Sequence, residues 1–165
     1  MGNLPTKVEI CGLNAHYVPE KNERGVTDVE FYYKTYDYTI DAKKRLFIPA
    51  KYRQELGDSF YLYFDPRENF IAVYGEEEWE IKCREAMETR NAAYQRFFFS
   101  NVDKVETDKQ GRITLDSRMC EGAHLKKEVT VIGVGNRIEI WDAATYAKEM
   151  EKLNTISDTF PTVIN

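Results

Sequence analysis

Set against itself at a displacement of 67 residues, this sequence falls into register without a gap, and that duplication constrains the fold more than any other feature. Asp41 meets Asp108, Arg45 meets Arg112, Leu46 meets Ile113 and Ile48 meets Leu115. Further along, Leu62, Phe64, Asn69, Ile71, Val73 and Tyr74 meet Val129, Val131, Asn136, Ile138, Ile140 and Trp141, and Trp79 meets Tyr146. Apolar positions fall on apolar, turn on turn and aromatic on aromatic. Two copies of one small unit, each too small to bury its own apolar face, are expected to share a core.

Each copy reads the same way. Alternating residues in YDYTI and DKVET predict a strand, DAKKR and DKQGR a tight turn, and LFI and RITL a second strand, so that each copy opens with a hairpin. Short helical patterns follow, AKYRQEL opened by Pro49 in a first-turn position and SRMCEGA capped by Asp116. SFYLYF and FIAVY, joined by DPREN, and EVTVIGV and RIEIW, joined by GVGN, predict a second hairpin in each copy.

GEEEWEIKCREAMETRNAAYQRFFF carries apolar residues at Trp79, Ile81, Ala86, Met87 and Tyr94 and predicts one longer helix linking the copies, with DAATYAKEMEKL as its counterpart. The run Phe97 to Phe99 has two readings, stacking on bases as in single-strand binders or burial between repeats or between subunits, and burial is the expected one. Met1 to about Thr27 has no sustained period and holds Pro5 and Pro19, which predicts an extended or partly disordered arm. The expected division is 1–30 arm, 31–98 first unit with its linking helix, 99–153 second unit and 154–165 tail.

The net charge of −5 over 165 residues argues against whole-surface binding to a polyanion. Positive charge is instead local. From Asp41 to Arg53 the chain carries Lys43, Lys44, Arg45, Lys51 and Arg53 against Asp41 alone. A 42% hydrophobic share permits a packed core and speaks against general disorder.

No apolar run approaches the roughly 18 residues of a membrane span, and MGNLPTKVEI lacks the apolar region of a secretory signal. The cytoplasm is the expected compartment, with no membrane partner. Cys11, Cys83 and Cys120 are odd in number and widely spaced, which suits a reducing environment. Cys11 and His16 lack a second ligand pair, so neither a metal nor another cofactor is expected. MGNLPT fits the short myristoylation pattern as many unrelated N-termini do.

Catalysis would need a convergent Cys–His set, paired carboxylates or a phosphate-cradling glycine loop. The sequence offers none: His16 and His124 stand at non-equivalent places, and GVGN lies between strands as a turn. The chain is not expected to be an enzyme.

In DKQGR, Gly111 stands where a tight turn needs a positive φ, and Asp108 is suited to accept from turn amides. Arg112 then leaves the turn with its guanidinium free to project. An ordinary salt bridge between Asp108 and Arg112, closing the tip, is the plainer reading of one such turn. Its recurrence at Asp41 to Arg45 gives the arginines a shared purpose.

The segments DAKKRLFIPAKYRQEL, RFFFSNVDKVETDKQGR, DKQGRITL and VIGVGNRIEIWD together resemble the bacterial MraZ family over roughly Phe31 to Leu153. The resemblance implies an α+β, β-rich fold: two tandem AbrB-like swapped-hairpin units forming an intramolecular pseudo-dimer barrel with flanking helices. It also implies sequence-specific binding to double-stranded DNA at short direct repeats in the promoter of the chain's own division and cell-wall gene cluster, with repression of that cluster and association with the nucleoid. Copies are expected to close into a ring homo-oligomer, an octamer or dodecamer by the same resemblance.

Carried onto this sequence, the DxxxR arginines are Arg45 and Arg112, suited to bidentate contact with guanine in the major groove. Lys43, Lys44 and Lys109 are assigned to phosphates. Asp41, Asp108 and Gly111 stabilise the turns. The family pattern has Gly where this chain has Lys44, so the first turn is expected either to hold a non-glycine residue at positive φ or to take another shape. AbrB-like units also serve as antitoxins and as oligomerisation modules, and an acidic, aromatic-rich chain is compatible with that alternative.

Overall fold

The computed structural model describes residues 31–161. The arm expected over 1–30, with Cys11 and His16, lies outside them. The order of elements is β1 (Thr35–Thr39), β2 (Arg45–Phe47), α1 (Ala50–Leu56), β3 (Ser59–Phe64), β4 (Phe70–Tyr74), α2 (Glu76–Glu88), α3 (Ala92–Ser100), β5 (Val102–Glu106), β6 (Arg112–Thr114), α4 (Ser117–Gly122), β7 (Glu128–Gly133), β8 (Ile138–Asp142) and α5 (Ala143–Ile156), followed by a 3-10 turn at Ser157–Thr159. No helix among the described residues is long and apolar enough to cross a membrane.

Six strands form one antiparallel sheet in the order β1-β7-β8-β4-β3-β5, and β2 pairs with β6 in a separate two-stranded ribbon. The fold is α+β and β-rich, a tandem pseudo-dimer of swapped hairpins. The late hairpins β3–β4 and β7–β8 form as the sequence predicts. They meet at the centre of the sheet, where Ile71 faces Ile140 and Val73 faces Ile138.

The opening hairpins do not form. Backbone bonds close both turns, from Asp41 N–H to the Arg45 carbonyl at 3.1 Å and from Asp108 N–H to the Arg112 carbonyl at 2.8 Å. Beyond each turn, however, the chain leaves in two directions. Strand β1 of the first copy pairs with β7 of the second, and β5 of the second pairs with β3 of the first. A period of two tells which side chains face inward and says nothing about which strand lies alongside.

The core sits between the inner face of the sheet, the ribbon and the two short helices. Phe60, Leu62, Ile71, Val73, Val129, Val131, Ile138 and Ile140 from the sheet meet Leu46, Ile48, Ile113 and Leu115 from the ribbon, with Tyr52, Leu56, Met119 and Cys120 from α1 and α4. A smaller apolar cluster covers the outer face of the first half, built from Tyr74, Trp79, Ala86 and Phe98.

The single linking helix is two helices. Arg90 takes φ 50 after α2, and Asn91 restarts the chain by accepting from the amides of Ala93 and Tyr94. Asn in that position is a strong helix start, and it interrupts the apolar stripe read through it. Nor is the Phe97 to Phe99 run buried as a block. Phe98 stacks on Trp79 at 5.2 Å and is buried, Phe97 is half-buried, and Phe99 is 41% exposed because a helix turns neighbouring residues to different sides. Pro49 stands one place earlier than expected, at the N-cap of α1, and Asp116 caps α4 from the amides of Arg118 and Met119.

Leu46 and Phe47 are neighbours with opposite surroundings, the first fully buried and the second 45% exposed. Leu46→Ala is therefore expected to cost about 2–5 kcal/mol, and Phe47→Ala to stay within about 0.5 kcal/mol. Urea midpoints of the two variants check this; equal losses would place the ribbon outside the core.

Candidate nucleic-acid interface

The ribbon brings the two predicted tips together. Arg45 lies opposite Thr114, Leu46 opposite Ile113 and Phe47 opposite Arg112. Both strands show the same pattern, half-buried, buried, exposed. Alternation therefore puts Leu46 and Ile113 on the core side and Arg45, Phe47, Arg112 and Thr114 on the outer side. Arg45 and Arg112 are diagonal neighbours on that face, with Cα atoms roughly 7–8 Å apart by ordinary antiparallel geometry.

Cross-copy bonds lengthen the ribbon into the turns. Leu115 N–H donates to the Lys44 carbonyl at 2.8 Å, and Ile48 N–H donates to the Gly111 carbonyl at 3.1 Å. Each turn is thus fastened to the strand of the other copy, and neither can move alone.

Within the turns the aspartates hold both backbone and arginine. Asp41 Oδ1 accepts from the amides of Lys43 and Arg45, each at 2.9 Å, and its Oδ2 accepts from Arg45 Nε at 2.7 Å. Asp108 repeats this with Gln110 N, Arg112 N and Arg112 Nε, and Arg112 Nη2 lies 2.8 Å from the same oxygen. The arginines are therefore not free projections. Each is steered by its aspartate through Nε, and five N–H donors on a guanidinium leave others over for a ligand. Arg112 also lies 5.9 Å from the centre of the Phe47 ring. In both aspartates the backbone amide of the paired arginine, ahead of its side chain, holds the carboxyl below the usual carboxylate range.

The tips differ at one position. Lys44 has φ 61 and Gly111 φ 79, so the left-handed conformation recurs although only one residue suits it. The surroundings differ to match. A Cβ on Gly111 would stand 2.5 Å from Arg53 Cζ, because Arg53, held through Nε by the Ile48 carbonyl at 3.0 Å, lies over the second turn. The displacement of 67 takes Arg53 to the small, buried Cys120, whose thiol burial pushes up, with the charge of Lys44 opposing the rise. One tip has its extra cation from its own turn, the other from helix α1. Arg53 belongs to this surface and was visible in sequence only as part of a charged run, since the contact that places it crosses between copies.

Lys43, Lys44 and Lys109 are all exposed, Lys43 and Lys44 on the first tip and Lys109 on the second. No group of three or more His, Cys, Asp or Glu able to hold a metal occurs among the described residues.

A family model described as "MraZ protein, putative antitoxin-like" matches residues 31–97 and again 98–162. The chain belongs to the MraZ family. Among curated MraZ relatives, a protein of Heliobacterium modesticaldum named transcriptional regulator MraZ is 42% identical over 122 residues, covering 71% of this chain and 85% of that protein. Proteins of the same name from Alkaliphilus metalliredigens and Acetivibrio thermocellus are 39% and 40% identical, over 74% and 70% of this chain and 89% and 83% of theirs. The MraZ match begins at 31, where the described residues begin.

Lys44→Gly should raise stability by up to about 1 kcal/mol, the relief of about 1–2 kcal/mol of left-handed strain less the roughly 0.5–1 kcal/mol of backbone entropy a glycine costs, whereas Gly111→Lys should lower it, since the new side chain meets Arg53. Thermal melts of both variants read this, and a stabilised Gly111→Lys would contradict the description of the two turns. Because both aspartate pKa values are depressed in the folded chain, their contribution is complete above the unfolded carboxylate value and is lost as pH falls through the lower, folded value. The Nε–H resonances of Arg45 and Arg112 should hold from pH 7 down to the usual carboxylate range and shift only below it.

Proposed function

We propose that this chain is a DNA-binding transcriptional regulator whose ribbon face, with Arg45 and Arg112 side by side, reads base edges in the major groove. The observation that carries the reading is that pairing: two aspartate-steered guanidinium groups on one outer face of a two-stranded element. Such an element fits the major groove. A diagonal of roughly 7–8 Å corresponds to about two base-pair steps of 3.4 Å.

Lys43, Lys44 and Lys109 serve phosphates, and Arg53 adds a cation beside the second tip. Asp41, Asp108 and Gly111 hold the geometry. The regulator names of the relatives support the same reading.

In the finer form of this reading, the chain represses its own division and cell-wall gene cluster from short direct repeats in the promoter, as a cytoplasmic protein associated with the nucleoid. Copies close into a ring. The exposed apolar side chains Met87, Tyr94 and Phe99 offer material for contacts between copies. Linked tips then meet linked repeats, and each later contact is intramolecular, which raises avidity by orders of magnitude.

A footprint on the region upstream of the gene, repeated with Arg45→Ala and Arg112→Ala, tests the assignment. Each substitution should cost about 1–3 kcal/mol of discrimination at the bases it reads, while Lys109→Ala should weaken binding to all sequences alike and flatten the salt slope by about 0.9. Full protection by both folded arginine variants would remove the reading. Absence of binding by the unaltered chain at low salt, with a protein partner co-purifying, would replace it with an interaction module.

A further inference from the structure

The outer face of the sheet is covered in one half of the molecule and open in the other. In the first half α3 runs directly into β5 and sets Phe98 against Trp79 of α2, at 5.2 Å with planes 7° apart, and against Tyr63 of β3 at 5.0 Å. The displacement of 67 moves that place to the second half, with Tyr146 standing for Trp79 and Thr130 for Tyr63. There the structure has a groove of about 750 Å³, lined by Thr35, Asp37 and Thr39 of β1, Thr130 of β7, and Ala143 and Tyr146 of α5.

Helix α5 shows the other side of this vacancy. It runs 14 residues and buries none of them, and Met150 and Ile156 are 40% and 47% exposed. Helices in proteins owe most of their stability to packing of an apolar face. Its counterpart α2 buries Trp79 and Ala86. Helix α5 therefore lacks, among the described residues, the cover that α3 gives α2.

The chain supplies an occupant by position. In sequence, the segment before β1 corresponds to α3 before β5, and the same displacement pairs Phe31, 57% exposed, with Phe98. Residues 1–30 lie ahead of it, outside the family match, and include Val26 and Val29 next to β1 and the run VEICGL further away. A segment joined covalently to the groove's own β1 meets it intramolecularly, which raises its effective concentration.

We propose that the groove between β1, β7 and α5 is the docking site of this chain's own N-terminal segment, residues 1–30, whose apolar side chains cover Tyr146 as Phe98 covers Trp79. This does not depend on the DNA-binding reading.

The test uses the full chain with Tyr146→p-benzoylphenylalanine and, as a second probe at the other end of the groove, Thr39→p-benzoylphenylalanine. Each is irradiated after mixing and co-refolding nitrogen-15-labelled and unlabelled protein, and adducts are mapped by mass spectrometry. Adducts joining either probe to residues 1–30, with both peptides carrying the same isotope, are the expected result. Adducts of mixed isotope would give the groove to a second copy and overturn the proposal. Adducts confined to residues beyond 30, or none from either folded variant, would overturn it as well.

Discussion

The pairing of Leu46 with Ile113 is the contact on which the arrangement turns. Each is buried, each comes from a different copy, and each sits in the middle of a three-residue strand. Because these two face the core, their neighbours must face out, and both arginines arrive on one surface without any further device. Exposed salt bridges add little to stability, so the aspartates are better understood as aiming groups than as fasteners of the fold.

The exchange of first strands extends the same logic to the sheet. Strand β7 is bordered by β1 from the other copy and β3 by β5. Neither copy can complete its sheet alone, and the core that supports the ribbon is common property. The stiffness of the interface thus derives from contacts that are long-range in sequence, bought at the slower folding that non-local strand pairing entails.

Much of this was legible in the sequence. The displacement of 67 identified the copies and set Leu46 against Ile113, two apolar residues that the structure buries. The register against Gly111 also exposed the unusual backbone at Lys44. Strand partners were not legible in the alternation, since a swapped and an unswapped hairpin bury the same side chains; only the family resemblance implied the exchange. The break at Arg90 and Asn91 was written in the sequence as a helix cap but lay beneath a continuous apolar stripe. Arg53 over Gly111 had no local signal, because the two residues stand 58 apart in the chain and meet only after the copies interlock.

The two tips are alike in plan and unlike in detail: lysine and cysteine in one, glycine and arginine in the other. A reader made of two identical chains is bound by its rotation axis and sees a duplex the same way from either end, which is why such readers use palindromes. Covalent duplication removes that obligation. With each loop free to change on its own, the molecule acquires a left and a right; under the DNA-binding function proposed above, that polarity suits sites arranged head to tail.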